Sequence, residues 1–214
     1  LLRLTPTPSP LLIACALPNP PHDGFPSQLP VDPPHLLDWS QEAQRHGVAV
    51  SAASNLLQWA SKLKRPTDQL AQTNAEIRRN AIHDALRWEQ GCRECIHHLT
   101  SARVSPPILL KGGSLRYQCY PEPWWRPSDD VDLLLPAEEI PGASRVLEEM
   151  GFVPLTPHKN RPWSTLHGHQ RAFIRDGFVV ELHHSPDNLD RPALRYEALA
   201  PGATEESFVG TPHL

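Results

Sequence analysis

Proline is the residue type that most constrains the fold of this chain, because 25 of its 214 residues are prolines. Proline breaks the interior of a helix and cannot donate a backbone hydrogen bond. The prolines gather before residue 35, between residues 106 and 127, and near the end, so these stretches are expected to be loops between elements. Between residues 35 and 105 only Pro66 occurs, and long helices are therefore expected in this interval.

Apolar side chains recur at helical spacing in three segments before residue 104. The first segment covers residues 35–46 and stops at Gly47, and the second covers residues 50–63. The third begins near Pro66, which suits the first position of a helix, and continues to residue 102. We therefore predict a helical N-terminal region with a proline-rich start over residues 1–104.

The apolar period changes after residue 104 and then predicts short strands as well as helices. Asp176 and Gly177 separate two β-rich runs, which is the signal of a hairpin. The predicted elements are a strand at 107–110, a helix at 115–120, a strand at 130–135, a helix at 137–150, and a hairpin formed by 169–174 and 178–183. This order predicts an α+β fold in which a small mixed β-sheet flanked by helices, over residues 105–190, follows the helical region. Residues 191–214 are expected to be a truncated C-terminal tail.

The composition limits the classes of protein to which the chain can belong. Hydrophobic residues make up 39% of the chain and charged residues 21%, which suits a folded core. The net charge of −4 shows no basic excess, so long nucleic acid is not an expected partner. Four scattered cysteines are too few for a disulfide scaffold, and this favours a reduced, cytoplasmic setting.

The longest apolar run near the start covers residues 11–17 and is far too short to cross a bilayer. Residues 12–15 are similar to a lipoprotein cleavage box, but no long apolar stretch precedes them. A short packed helix is the preferred interpretation, and no membrane attachment is expected.

Two acidic residues separated by one apolar residue carry the strongest chemical signal. Asp130 and Asp132 lie two apart in a predicted strand, so their carboxylates share one face. Such a pair suits a hard divalent cation, Mg²⁺ or Mn²⁺, which relieves the repulsion between them. Glu181 is a third acid among apolar neighbours, and a shared metal would offset the cost of burying it. His183 shares the face of Glu181, where it either touches the metal, a phosphate or the acceptor, or is structural.

A glycine-rich segment precedes the acid pair. Gly112, Gly113 and Ser114 lie where a strand is expected to meet a helix, and glycine lets a backbone approach a phosphate closely. Lys111 either neutralises phosphate charge or ends the strand. Arg126 either neutralises phosphate charge or is an ordinary loop arginine.

The Lys-Gly-Gly-Ser segment, the acid pair and the later glutamate together resemble the DNA polymerase β-like nucleotidyltransferase superfamily. The most similar branch is that of bacterial uncharacterised nucleotidyltransferases with a helical N-terminal region. The resemblance extends over residues 11–15, 37–39, 108–114, 126–134 and 180–183. It implies a nucleotidyltransferase-type sheet, with residues 105–190 as the catalytic core.

The resemblance also implies a reaction: transfer of a nucleoside monophosphate from an NTP, with ATP expected, to an unknown acceptor, releasing pyrophosphate. A small molecule, a peptide or a protein is the expected acceptor. Asp130 and Asp132 would bind two Mg²⁺ ions, with Mn²⁺ as a substitute, and Glu181 would bind the ion that activates the acceptor hydroxyl. The residues assigned to nucleotide binding are Gly112, Gly113, Ser114, Lys111, Arg126 and His183.

Three features depart from the family pattern. Residues 121–125 are inserted before the acid pair, the third acid is Glu181 where aspartate is frequent, and the chain ends soon after the hairpin. The second and third departures favour an alternative: a catalytically degenerate nucleotidyltransferase fold that acts as a binding or regulatory module.

Two further motifs have competing interpretations. Cys92 and Cys95 lie one helical turn apart near two histidines, which suggests an interaction domain with structural zinc. No second ligand pair with zinc-like spacing follows, so a buried, small hydrophobic side chain is the preferred interpretation of Cys95. Trp124 and Trp125 either stack on a base or the acceptor, or anchor the inserted loop to the core, and anchoring is preferred.

Overall fold

The computed structural model of the protein describes residues 33–45, 47–62, 64, 67–155, 170–186 and 191–204. The apolar run at residues 11–17, with its competing lipoprotein interpretation, lies outside the described residues. The chain forms two compact units. The first comprises Leu1–Ala85 and Tyr120–Pro127, and the second comprises Leu86–Cys119 and Ser128–Leu214.

The described helices and strands follow the predicted order, with a few additions. The α-helices are α1 (Pro33–Arg45), α2 (Ala49–Lys62), α3 (Asp68–Ser101), α4 (Lys111–Gln118), α5 (Ile140–Glu149) and α6 (Tyr196–Leu199). The strands are β1 (Ile108–Leu109), β2 (Asp130–Leu134), β3 (Val153–Pro154), β4 (Gln170–Arg175) and β5 (Phe178–His183). Short 3₁₀ turns occupy Pro123–Trp125, Ala137–Glu139, Pro192–Leu194 and Ala200–Gly202. No described helix is both long enough and apolar enough to span a membrane.

The first unit has a helical core built from the apolar faces of α1, α2 and the start of α3. Its buried members include Trp39, Leu56 and Trp59. Trp124 and Trp125, from the inserted segment, pack against this core. Their packing agrees with the anchoring interpretation of the two tryptophans.

The second unit contains a five-stranded mixed sheet in the order β1-β2-β5-β4-β3. β2 and β5 run parallel, whereas β1 pairs with β2, and β4 with β5 and β3, in antiparallel fashion. The predicted α+β fold with a mixed sheet after a helical region is confirmed.

One face of the sheet packs into a core with the last part of α3 and with α5. Alternate residues of β2 and β5 point into this core, because side chains of a strand alternate between its faces. The fully buried members from these two strands are Val131, Leu133, Val180 and Leu182.

Two predicted chain reversals have the expected backbone conformation. Asp176 and Gly177 both have positive φ, 51° and 78°, which is the conformation of a type I′ hairpin turn. Gly151, with φ of 87°, follows the end of α5 in the left-handed conformation that commonly terminates a helix.

The prediction for the start of α4 is wrong. The helix was expected at 115–120 after a glycine turn, but α4 begins at Lys111 and contains Gly112, Gly113 and Ser114. Glycine disfavours helices by about 1 kcal/mol relative to alanine, which is why the pair predicts a turn. At Gly113, a Cβ atom would lie 2.8 Å from Leu109 Cδ1 and 3.0 Å from Trp88 Cζ2, so close packing overrides propensity.

Candidate functional site

The three predicted acids lie on the second face of the β2–β5 pair, opposite the core. The parallel register places Asp132 directly beside Glu181, on neighbouring strands about 4.8 Å apart. Asp130 shares this face two residues earlier and lies beside Val179. Two short segments, residues 130–132 and 179–181, therefore bring all three acids to one face of the sheet, with Asp132 and Glu181 side by side.

Asp132 is the most heavily bonded of the three acids and is 3% exposed. Its Oδ1 atom accepts a hydrogen bond from Lys111 Nζ at 2.7 Å and lies 2.7 Å from His183 Nε2. His183 Nε2 also lies 3.3 Å from Glu181 Oε2, so the imidazole bridges two carboxylates. Charge-assisted bonds of this length are stronger than neutral ones, and they fix the orientation of Asp132.

The electrostatics of the two aspartates differ. Burial alone would raise the pKa of Asp132, but the bonds from His183 and Lys111 outweigh it and lower this pKa. The pKa of Asp130 is raised by burial and by repulsion from Asp132 and Glu181. For His183, burial would lower the pKa, and the bonds to Asp132 and Glu181 reverse the effect and raise it. Of the two aspartates, Asp130 is thus the one whose charge the local structure compensates less.

Lys111 adopts a backbone conformation that is rare for a residue with a side chain. Its φ is 48°, at the point where the chain leaves β1 and enters α4. Such left-handed residues cost about 1–3 kcal/mol and cluster at functional sites. This conformation accompanies a side chain that reaches Asp132 across the end of the strand.

The glycine-rich segment forms the first turn of α4. Gly112 and Gly113 are buried, and Gly113 lets the helix approach Leu109 and Trp88. The Ser114 amide bonds Leu110 O at 3.4 Å, and Ser114 Oγ accepts a bond from Gln118 Nε2 at 2.9 Å. Gly113 thus has a packing role that is independent of any phosphate.

Arg126 lies in the first unit, whereas the other predicted site residues lie in the second. Its Nη1 donates to Pro127 O at 3.1 Å. Its assignment to nucleotide binding stays a prediction.

Trp88 is a site neighbour that the sequence did not reveal, because its position on α3 predicts only core packing. Its indole Nε1 donates a 2.7 Å hydrogen bond to the backbone carbonyl of Asp130. The guanidinium of Arg116 lies 4.0 Å from the centre of the Trp88 ring, and Arg116 is 1% exposed. Only the register between α3 and β2 could have identified this contact.

The zinc interpretation of the cysteines receives no support from their surroundings. Cys92 and Cys95 are completely buried in the core of the second unit. Burial raises the pKa of each thiol to about 12, which disfavours the thiolate form that binds metals. The two cysteines therefore behave as small apolar core residues.

The acids are suited to a divalent cation. Ligand atoms of Asp132, Glu181 and His183 lie within 4.8 Å of one another, which is close enough for all three residues to contact one metal ion. The predicted ligand Asp130 lies outside this group of three. Carboxylate oxygens are the ligands that Mg²⁺ prefers. Burial, followed by repulsion from Asp132 and Glu181, raises the pKa of Asp130, and a bound cation would offset both effects. Lys111 Nζ and His183 Nε2 both contact the Oδ1 atom of Asp132.

One comparison with known proteins gave a match. The sequence model of a family described as uncharacterised nucleotidyltransferase matches residues 30–207. No curated protein and no solved structure matches the chain.

Proposed function

The chain belongs to the family of uncharacterised nucleotidyltransferases, and we propose that it transfers a nucleoside monophosphate from an NTP to an acceptor, releasing pyrophosphate. The reaction depends on Mg²⁺, which Mn²⁺ can replace, and ATP is the proposed nucleotide. We further propose that the chain belongs to the bacterial branch of uncharacterised nucleotidyltransferases within the DNA polymerase β-like superfamily. Residues 105–190 form its catalytic core, preceded by the region 1–104.

The observation that carries this proposal is the convergence of three acids at the N-terminal end of a helix. Asp130, Asp132 and Glu181 share one face of the β2–β5 pair, and Lys111 joins this group from the start of α4. A helix N-terminus presents unpaired N–H groups and a positive dipole end, which favour an anion such as a phosphate. A cation-binding acid cluster beside an anion-binding helix end matches the two halves of a metal–nucleotide complex.

Asp130, Asp132 and Glu181 are the proposed metal ligands. Divalent ions bound there would neutralise the triphosphate and stabilise the attacking and leaving oxygens. Lys111, Gly112, Gly113 and Ser114 bind the phosphates in this proposal. His183 orients Asp132 and Glu181 through its Nε2 atom.

A second candidate function rests on a different observation about Asp132. Lys111 and His183 already compensate the charge of this aspartate without any metal. An acid cluster held by internal cations can persist in a fold that has lost its chemistry. The second candidate is therefore a degenerate nucleotidyltransferase that acts as a binding or regulatory module.

Calorimetric titration of ATP and of a non-hydrolysable analogue, with and without Mg²⁺, tests the proposal. The wild type is expected to bind both nucleotides only with Mg²⁺, and the double variant Asp130→Ala, Asp132→Ala is expected to lose this binding. The matched control is Asp129→Ala, which removes an exposed carboxylate next to Asp130. A folded wild type that binds neither nucleotide would reject the nucleotidyl-transfer proposal and favour the degenerate module.

The acceptor belongs to the same proposal. The net charge of −4 offers no basic excess for long nucleic acid, so a small molecule, a peptide or a protein is the proposed acceptor class. The buried cysteines suit the reduced, cytoplasmic setting that we propose for the reaction.

A further inference from the structure

Trp88 contacts both halves of the proposed site, although it belongs to neither. Its Nε1 atom donates to the carbonyl oxygen of Asp130 at 2.7 Å, which fixes the first residue of β2. Ser128 Oγ bonds the same carbonyl at 3.2 Å. The backbone of the first metal ligand is therefore tied to α3 by a side chain 42 residues away.

The ring of Trp88 also limits how closely α4 can approach. The Cζ2 atom lies 3.0 Å from the position that a Gly113 Cβ would occupy, so the indole lies directly against the first turn of α4. This turn carries Lys111 and Gly112, which we assign to phosphate binding. One rigid aromatic ring thus spans the distance between Asp130 and the helix N-terminus.

Two contacts keep the ring and α4 in place. The Arg116 guanidinium lies over the Trp88 ring at 4.0 Å, a cation–π contact that is strong when desolvated. Beside it, Tyr117 donates to Glu89 Oε1 at 2.8 Å, and Glu89 is 4% exposed. Both pairs join α3 to α4, so the ring has little freedom to turn away from Asp130.

We infer that Trp88 is a positioning residue that sets the distance between the metal ligand Asp130 and the phosphate-binding turn of α4. The inference rests on the proposed function. The indole holds the carbonyl of Asp130 with its N–H and the first turn of α4 with its ring. A tryptophan that only packed in the core would need its ring but not a hydrogen bond from its Nε1–H group.

Trp88→Phe separates these roles, because phenylalanine keeps an aromatic ring and removes the N–H donor. The matched control is Trp39→Phe in the first unit. Trp39 is 5% exposed and Trp88 is 3% exposed, and the Trp39 indole nitrogen has no hydrogen-bond partner among the described residues. Both variants lose similar buried area, but only Trp88→Phe loses a bond to the site.

The first measurement is hydrogen exchange by mass spectrometry on the metal-free proteins. Trp88→Phe is expected to accelerate exchange in two peptides together, the one that covers α4, with residues 111–118, and the one with residues 130–132. Trp39→Phe is expected to change neither. Uniform acceleration across the second unit, or no change in one of the two peptides, would overturn the inference.

The second measurement is Mn²⁺ affinity, followed by the loss of the free-ion signal in electron paramagnetic resonance well below the unfolding temperature. Trp88→Phe is expected to weaken Mn²⁺ binding about three- to tenfold relative to wild type and to Trp39→Phe, the effect of losing one hydrogen bond. Equal affinities in folded wild type and Trp88→Phe would overturn the positioning role and leave the proposed function intact. A wild type that binds no Mn²⁺ would overturn both.

Discussion

The two faces of the β2–β5 strand pair are built from alternating residues of the same two segments, yet they differ in almost every physical property. On one face, Val131, Leu133, Val180 and Leu182 are completely buried in an apolar core. The other face holds the charged cluster of Asp130, Asp132, Glu181 and His183. A shift of one residue in register would exchange the two sets, so burial of the apolar face fixes the register of the charged one.

This difference shows where the stability and the chemistry of the sheet reside. The apolar face gains free energy from burial, at about 25 cal/mol for each Å² removed from water. The charged face gathers like charges, and the raised pKa of Asp130 shows that the fold holds this carboxylate at a cost. The core face therefore determines where the acids lie, and on the charged face the bonds to Asp132 stabilise the fold while the charge of Asp130 costs free energy.

The largest expected effect comes from breaking the apolar face. Leu133→Ala is expected to lower the free energy of unfolding by about 2–5 kcal/mol, because it removes a completely buried side chain and leaves a cavity. The matched control is Leu115→Ala, at a leucine that is 43% exposed, where the loss should stay below about 1 kcal/mol. Urea unfolding followed by circular dichroism measures both, and equal losses would contradict a core centred on this face.

Glycine positions give the next largest effect and sharpen the role of α4. Gly113→Ala is expected to cost about 1–3 kcal/mol, because its Cβ would lie 2.8 Å from Leu109 Cδ1 and 3.0 Å from the rigid Trp88 ring. Gly142→Ala in α5 meets nothing closer than 4.0 Å and should be neutral or stabilising by up to about 1 kcal/mol. Thermal unfolding of the two variants measures the contrast. A stable Gly113→Ala protein would show that the helix can move away from Trp88.

The strands of the sheet could be predicted from the sequence more fully than the contacts that their side chains make. The β-rich runs at residues 130–135 and 178–183 predicted β2 and β5, and the Asp-Gly pair predicted the hairpin between β4 and β5. The two-residue strand β3 and the short helical turns after residue 191 were not predicted, because such short elements have no period of their own.

On the charged face, the predicted grouping came from a period of two, but the partners of each acid could not be read from the sequence. Lys111 reaches Asp132 only because its backbone has positive φ, which propensity does not predict for lysine. The contact of Trp88 with Asp130 joins residues 42 positions apart. Contacts of this kind depend on how the helix packs on the sheet, which no local pattern contains.

A smaller effect tests the free-energy cost of holding the Asp130 carboxylate on the charged face. Asp130→Asn is expected to leave the free energy of unfolding at pH 7 unchanged or to raise it by up to about 1 kcal/mol, because it removes a carboxylate whose charge is disfavoured by burial and by repulsion from Asp132 and Glu181. The same variant is expected to lose most of its Mn²⁺ affinity. Asp129→Asn, at an exposed position, is the control for both measurements. If Asp130→Asn destabilised the protein by more than about 1 kcal/mol, the Asp130 carboxylate would stabilise the fold, contrary to the contrast between the apolar and the charged face.

The smallest effect concerns a charge that belongs to the edge of the apolar face. Arg175 Nη2 lies 2.7 Å from Glu94 Oε2, and Nη1 donates to Glu94 Oε1 at 3.1 Å and to Met150 O at 2.9 Å. The bond from Arg175 lowers the pKa of Glu94. Because the folded pKa lies below the unfolded value, the pair stabilises the protein above the unfolded pKa of about 4.3, and this contribution is lost as pH falls through the folded pKa.

Glu94→Gln should therefore flatten part of the acid branch of the stability curve between about pH 5 and the folded pKa of Glu94. The Glu94 side chain is 41% exposed, so solvent screening keeps the expected difference below about 1 kcal/mol. Urea midpoints are measured at several pH values for wild type and Glu94→Gln. Subtracting one curve from the other cancels the titration of the acids on the charged face, because both proteins contain them. Curves that stay parallel down to pH 3 would show that the ion pair adds nothing to stability, and that the apolar face depends on burial alone.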